Sequence, residues 1–261
     1  MLLAVDVGNT QTHLGVFRGD RLMHEWRAST EPARTADELA LMFGEFLNLA
    51  EMSFSRQITG VAISSVVPKA TQELREMTER YFGFPPVVVE PGTKTGIAIL
   101  TDNPREVGAD RIANAVAAHF MFDGEAAVIV DFGTAITVDA VSGKGEYLGG
   151  AIAPGIDTAA TALFSSTAQI RRVELVAPSS VVGKSTVTSV QSGIIFGTAA
   201  LVDGLVEAVR KELGGSARVV ATGGLASVVI EHCHNVEEIV PTLTLQGLRL
   251  IYERNADGSA T

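Results

Sequence analysis

Residues 5–12 read VDVGNTQT, and residues 130–137 read VDFGTAIT. Aligned without gaps, the two segments share Val, Asp, Gly and Thr at their first, second, fourth and eighth positions. Each follows an apolar run, LLAV in the first case and AAVIV in the second, and each leads into another strand-like run, HLGVF or VDAV. A chain that makes an Asp-x-Gly turn twice, once per half, is expected to hold one phosphate group between two related half-domains.

Working outward, strands are expected at 2–6, 12–17 and 22–28, with Gly19-Asp20 as the turn between the second and third. A helix is expected from Thr35 to about residue 51, because Leu39, Met42, Phe43, Phe46 and Leu47 share one stripe. A strand at 59–65, a helix from Pro68 to about residue 81 and a short buried strand at 86–90 complete the first half. The second half repeats the opening, with strands at 126–131, 136–140 and 146–152. A long helix at about 187–213 follows, then a strand at 218–222, a helix opened by Gly223-Gly224 and a C-terminal helix at 243–253. Strand clusters alternating with helices mean α/β. The expectation is two half-domains, 1–103 and 104–261, joined through 102–122, with no low-complexity linker and a cleft between them. Residues 255–261 read as a frayed end.

Composition narrows the function classes. At 261 residues with 46% apolar content, the chain can bury a full core. No run of about 18 uninterrupted apolar residues occurs, so no membrane span is expected. The opening MLLAVDVG lacks a basic region and a small-residue cleavage site, so it reads as a first strand rather than a signal peptide. The single cysteine, Cys233, fits a reducing, cytoplasmic setting. A net charge of −10 without a basic stripe argues against nucleic acid as a partner.

The two turns carry the chemistry. Gly8 and Gly133 sit where the chain reverses and a ligand can approach the backbone. Asn9, Thr10 and Thr12 add side-chain donors to exposed N–H groups, a nest suited to a polyphosphate. Asp6 and Asp131 end their strands, and a carboxylate beside phosphate needs a cation between them, so each implies a metal ion. One such turn alone reads equally well as an ordinary hairpin; two in equivalent places argue against that. The arrangement resembles the sugar kinase, Hsp70 and actin superfamily, whose members have two RNase H-like halves that grip ATP phosphates. In that resemblance the segment Ala221-Thr222-Gly223-Gly224 takes the place of the adenosine-holding turn.

A third motif lies between the turns. Asn103-Pro104-Arg105-Glu106 reads as a capped helix start, continued by VGADRIANAVAAHF. Ile112, Ala115, Val116 and His119 fall on one stripe, with Asp110 and Asn114 opposite and Gly108 removing a side chain beside them. A carboxylate, the Arg111 guanidinium and a gap could together take a hydroxyl proton and hold an anionic substrate, although in isolation the segment reads more simply as an exposed helix face with an Asp-Arg pair. The ordered set DVGNT, NPREVGADR, DFGTAIT, GGAIAPG and GKST closely resembles type III pantothenate kinase, from about residue 2 to about 254.

That resemblance implies specific roles. The segment Asp6, Val7, Gly8, Asn9, Thr10, Gln11, Thr12 and His13 would bind ATP, with Asp6 near magnesium and Thr134 adding a contact. Gly108, Ala109, Asp110 and Arg111 would bind pantothenate, with Asp110 as the base on its primary hydroxyl. Asp131 would hold a monovalent cation, potassium or ammonium, and Thr186 would touch pantothenate. The family is dimeric, and residues 154–161 are the expected interface segment. The chain departs from the family pattern at Thr101, where tyrosine is usual, and at Ser185, where asparagine is common. A different small-molecule kinase, or a catalytically silent regulatory relative, remains the alternative; Asp6, Gly8, Asp110 and Asp131, whose loss would favour silence, are all intact.

Other signals are weaker. Residues 178–185 resemble a P-loop, but Pro178 stands where its first glycine belongs and no buried strand precedes it. His232-Cys233-His234 lacks a matching pair of metal ligands. His13 reads as a phosphate contact or as a solvent-facing strand residue. Trp26 reads as core.

Overall fold

A computed structural model describes residues 1–167, 172–224 and 226–256, without the side chains of Ser55, Arg56, Ala226 and Ser227. The chain divides into two compact units. Unit 1 comprises Met1–Ala98, Asp102–Ala117 and the described residues from Leu243 onward; unit 2 comprises Ile99–Thr101 and Ala118–Thr242. A single cut at 103/104 therefore does not describe the chain. The C-terminal helix and the first turns of the helix carrying Asp110 belong to unit 1: the C-terminal helix packs on its sheet, and the Asp110 helix packs on the C-terminal helix.

The unit 1 sheet has the order β3-β2-β1-β4-β5, built from β1 (Leu2–Val7), β2 (Gln11–Arg18), β3 (Arg21–Ser29), β4 (Gly60–Ser65) and β5 (Val87–Val88). The first three strands form an antiparallel meander, and β4 and β5 run parallel to β1. Alternation along β1 decides the layers. Leu3, Val5 and Val7 join Val61 and Ile63 in one core, completed by Leu39, Phe43 and Leu47 of α1 (Ala36–Leu49). A short α2 (Phe54–Gln57), not expected from the sequence, precedes β4. Next, α3 (Pro68–Met77) adds Ala70, Leu74 and Met77, then continues as one π-helical turn, Thr78–Phe82. Thr35 caps α1 with a capping box, its N–H donating to Glu38 Oε2 at 2.8 Å. Trp26 is not core: it is partly buried at the sheet margin, stacked between His24 and Phe46.

Unit 2 repeats the plan. β6 (Ala98–Ile99), β7 (Ala127–Phe132), β8 (Ala135–Val141), β9 (Glu146–Pro154), β10 (Arg218–Thr222) and β11 (Glu238–Ile239) form a sheet ordered β11-β10-β7-β8-β9-β6. Here too a three-strand meander is followed by two strands parallel to the first. Setting β6 aside, both sheets read third, second, first, fourth, fifth strand, so the duplication seen in the two Asp-x-Gly segments is a duplication of topology.

The registers refine the alignment of the two segments. Val7 pairs with Thr12 and Asp6 with His13, whereas Phe132 pairs with Ile136 and Asp131 with Thr137. The first turn holds four residues, 8–11, and the second holds three, 133–135. An ungapped match is therefore right on the first strand of each hairpin and off by one on the second: the counterpart of Thr137 is His13, not Thr12.

Five α-helices remain among the described residues. The helix expected to begin at Asn103 does not. Residues Pro104–Glu106 make a separate 3-10 turn, with Asn103 Nδ2 donating to Glu106 Oε1 at 2.6 Å, and α4 (Ala109–Met121) starts afresh after Gly108. The sequence did not anticipate α5 (Ile156–Ser166), which falls across the expected interface segment 154–161. Next comes α6 (Thr186–Glu212), which sends Ile195, Ala199, Val202 and Val206 into the unit 2 core. By length and composition alone it is apolar enough to cross a membrane, but this buried stripe makes it a core helix with one open face. Gly223-Gly224 lead to a short α7 (Ala226–Val229), and the chain ends in α8 (Leu243–Ala256).

Candidate active site

In unit 1 the chemistry gathers at the C-terminal ends of β1 and β4. Asp6 lies near the end of β1, half-buried, with the turn 8–11 just beyond. Gly8 N–H donates to the Gln11 carbonyl at 2.9 Å, which closes the turn, and Asn9, Thr10 and Gln11 are exposed. The turn is braced from the third strand. Thr30 N–H donates to the Thr10 carbonyl at 2.9 Å, and the Thr12 and Thr30 hydroxyls lie 2.9 Å apart. Thr30 carried no motif, so sequence reasoning passed over it.

His13 lies on β2 in register with Asp6, hence on the same face of the sheet. It is buried at 7% exposure, with Nε2 3.0 Å from Glu25 Oε2, so it is neither a solvent-facing residue nor part of the turn itself. Desolvation holds its pKa below the usual value, Arg27 adds to that, and Glu25 opposes both.

The GADR segment reaches the same end of the sheet. Val66, just past β4, donates its N–H to the Val7 carbonyl at 3.1 Å, and its Cγ1 lies 3.7 Å from where a Cβ on Gly108 would stand. Gly108 is the residue before α4, its carbonyl accepting from Ile112 N–H at 3.1 Å. A side chain there would overlap Asp110 Oδ1, which instead folds back and accepts from the Arg111 N–H at 2.8 Å. Gly108 is thus the space that the Asp110 carboxylate occupies. Asp110 and Arg111 are both half-buried, and Ala109 is buried, offering only its backbone. Asn114, one turn on from Asp110, is not part of that open face. It is fully buried, and its Oδ1 accepts from the Thr244 hydroxyl of α8 at 2.8 Å.

In unit 2, Asp131 occupies the equivalent position on β7 and is half-buried. Gly133 N–H donates to the Ala135 carbonyl at 3.0 Å. The Thr134 carbonyl accepts from Gly155 N–H at 3.1 Å and from the Thr158 hydroxyl at 2.8 Å, so the GGAIAPG motif and the first turn of α5 hold this turn from behind. Gly223 has φ +99°, a conformation suited to glycine, and a Cβ on it would collide with the backbone of Phe132. The ATGG segment therefore closes directly on the strand end that leads into the second Asp-x-Gly turn. Thr137 donates to Asp139 Oδ2 at 3.0 Å, and Tyr147 donates to Asp139 Oδ1 at 2.7 Å; this fully buried carboxylate was not anticipated from the sequence.

Thr186 lies in the first turn of α6. It is exposed and lines an open pocket of about 400 Å³ with Leu163, Ser189, Val190, Gly193 and Ile194. Ser185 caps the helix, accepting from Thr188 N–H at 3.2 Å. The GKS of the apparent P-loop is therefore a capped helix start with no strand before it among the described residues.

The family model for type III pantothenate kinase matches residues 2–208. The chain belongs to the type III pantothenate kinase family. It is 53% identical over 256 residues to a type III pantothenate kinase of Frankia alni, covering 98% of this chain and all of that one. Among solved structures, a conserved Baf family protein from Campylobacter jejuni covers 98% of this chain and 99% of its own at TM-score 0.61 and 17% identity. A ROK hexokinase from Thermus thermophilus covers 99% of both at TM-score 0.55 and 14% identity. These two distant structures share the fold, which is the sugar-kinase, actin-like arrangement expected for a type III pantothenate kinase.

The remaining sequence signals resolve simply. Among the described residues, no three His, Cys, Asp or Glu side chains converge to hold a metal. Burial, and secondarily Asp203, push the Cys233 thiol up to about 11, so it is neither a thiolate ligand nor a nucleophile near neutral pH.

Proposed function

We propose that this chain transfers the γ-phosphoryl group of ATP to the primary hydroxyl of pantothenate, the entry step to coenzyme A. The observation that carries this reading is the Asp110 carboxylate lying in the space left by Gly108, beside the strand ends that bear Asp6. Membership of the type III pantothenate kinase family names the acceptor.

Phosphoryl transfer needs positioning and charge neutralisation more than covalent help. Asp110 takes the hydroxyl proton as the pantothenate oxygen bonds to the γ-phosphorus and the bond to the bridging oxygen breaks, leaving ADP. Arg111 holds the acceptor's carboxylate, Ala109 and Gly108 offer backbone, and Thr186 supplies a hydroxyl contact from α6. In the 6–13 segment, exposed Asn9, Thr10 and Gln11 make the direct contacts with ATP. Val7, Gly8, Thr12 and His13 shape and brace the turn, and Thr134 supplies the matching contact from the second turn.

Asp6 fits magnesium, because an oxygen donor without a surrounding ligand cluster suits an ion bound through one carboxylate, water and phosphate. Asp131 fits the monovalent cation, potassium or ammonium. Bound there, the two ions would offset the negative charge of the phosphates.

The working form is a cytoplasmic homodimer. The support is the open face of α6, where Ser189, Gly193, Gly197, Ala200, Gly204 and Ala208 are exposed, with space around the three glycines. Sedimentation showing a monomer at micromolar concentration sinks the dimer. A coupled ADP-release assay with ATP, magnesium and potassium, run with and without pantothenate, tests the activity. Release that is absent, or indifferent to pantothenate, refutes it.

A further inference from the structure

Even-numbered residues of β1 and β4 occupy the face opposite the large unit 1 core, and α8 covers part of that face. Leu245 Cδ1 lies 2.8 Å from a Cβ built on Gly15, and Tyr252 stands over Gly60. Near the strand ends this face carries two polar residues in direct register, Asp6 on β1 and Ser64 on β4. Ser64 is fully buried, at 0% exposure, and among the described residues its hydroxyl has no hydrogen-bond partner. A serine on a face that β4 otherwise lines with Gly60 and Ala62, carrying an unpaired buried hydroxyl, is a liability for folding unless something bound supplies the partner.

Unit 2 places a buried hydroxyl residue in the same register position. Thr222 is in register with Asp131 on the neighbouring parallel strand and is buried at 2% exposure. Each strand-end carboxylate thus has a hydroxyl residue beside it on the next parallel strand, in sequences that otherwise differ, VAISS and RVVAT. Backbone pairing alone does not require a hydroxyl at either place.

We infer that Ser64 is a positioning residue for the cation received by Asp6: its hydroxyl holds a water of that ion's shell and so fixes where the carboxylate and the ion stand. This rests on the reading of Asp6 as the magnesium carboxylate. Groups that hold the shell of a metal site alter its affinity by about 10–100-fold when removed.

The test is binding, not turnover. ATP affinity is measured by calorimetry across a magnesium titration, without pantothenate, for the parent, Ser64→Ala and Asp6→Asn, with a melting curve of each ligand-free protein. Ser64→Ala is expected to raise the magnesium midpoint for tight ATP binding by about tenfold or more. Its ligand-free melting temperature is expected to hold or rise, since an unpaired hydroxyl is removed. An unchanged midpoint in Ser64→Ala beside a raised one in Asp6→Asn overturns the inference and leaves Asp6 in place. No change in either overturns both. A lowered melting temperature in Ser64→Ala makes the hydroxyl a structural partner and also overturns the inference.

Discussion

Gly108→Ala isolates the position of one carboxylate. Gly108 does not have a positive φ, so alanine is compatible with its backbone; what glycine provides is space. The added Cβ would overlap Asp110 Oδ1, while Val66 Cγ1, at 3.7 Å, is an ordinary contact. Because the obstructing atom is the end of a side chain, the protein can accept the methyl by swinging the carboxylate aside and breaking its 2.8 Å bond from Arg111 N–H. The fold should survive. Alanine for glycine at the residue capping a helix costs about 1 kcal/mol, a fall in melting temperature of about 2–4 °C for a chain of this size. The chemistry should not survive as well, since a misplacement of about 1 Å at a reacting group costs about 100-fold. Steady-state ADP release at saturating pantothenate should therefore drop by about 100-fold, while ATP affinity by calorimetry stays within about twofold, because the turn at 8–11 is untouched. A folded Gly108→Ala protein that keeps kcat within about twofold of the parent refutes the reasoning, because Asp110 would then be free to move without consequence.

Three further outcomes are expected. His13 has a pKa held below its ordinary 6.5 by burial, so the unfolded chain binds the proton more readily. The stability this contributes is present above about pH 6.5 and is lost as the pH falls from there through the lower folded-state value. A melting-temperature profile between pH 8 and 5 should fall on the acid side, and His13→Gln should flatten that fall; parallel profiles would discount the mechanism. Replacing potassium by sodium should slow turnover, and Asp131→Asn should remove the difference between the two salts; equal rates in both salts for the parent protein count against a monovalent site at Asp131. Gly247 on α8 faces the Ala113 backbone carbonyl so closely that a Cβ would collide with it. Gly247→Ala must push α8 from α4 at a cost of about 1–3 kcal/mol, and an unchanged denaturation midpoint would contradict the packing described.

The parts of the fold that could be read in advance are those encoded locally. Strand alternation, the Thr35 cap, Pro68 at a helix start and the repeated Asp-x-Gly turn all act over a few residues, and the structure places strands and helices there. The failures come from competition that a local pattern does not contain. The Asn103-Pro104 signal is real, but its side-chain cap is satisfied within a single 3-10 turn, and Gly108 then starts a new helix that positions Asp110. Asn114 reads as the polar partner of Asp110 on one helix face; Thr244, 130 residues away, draws it into the interior instead.

The two Asp-x-Gly turns are offset by one residue. Identity at Thr12 and Thr137 invites an equal role for both, yet register makes Thr12 a brace joined to Thr30, while Thr137 stands opposite Asp131 where the first hairpin has His13. The two turns therefore differ in what stands opposite each aspartate. The four-residue turn exposes Asn9, Thr10 and Gln11 and the three-residue turn exposes Thr134, while in both hairpins strand pairing runs through the aspartate to the residue after it. The two copies of the motif differ by one residue in turn length, a difference that hydrogen-bond register exposes and residue identity conceals.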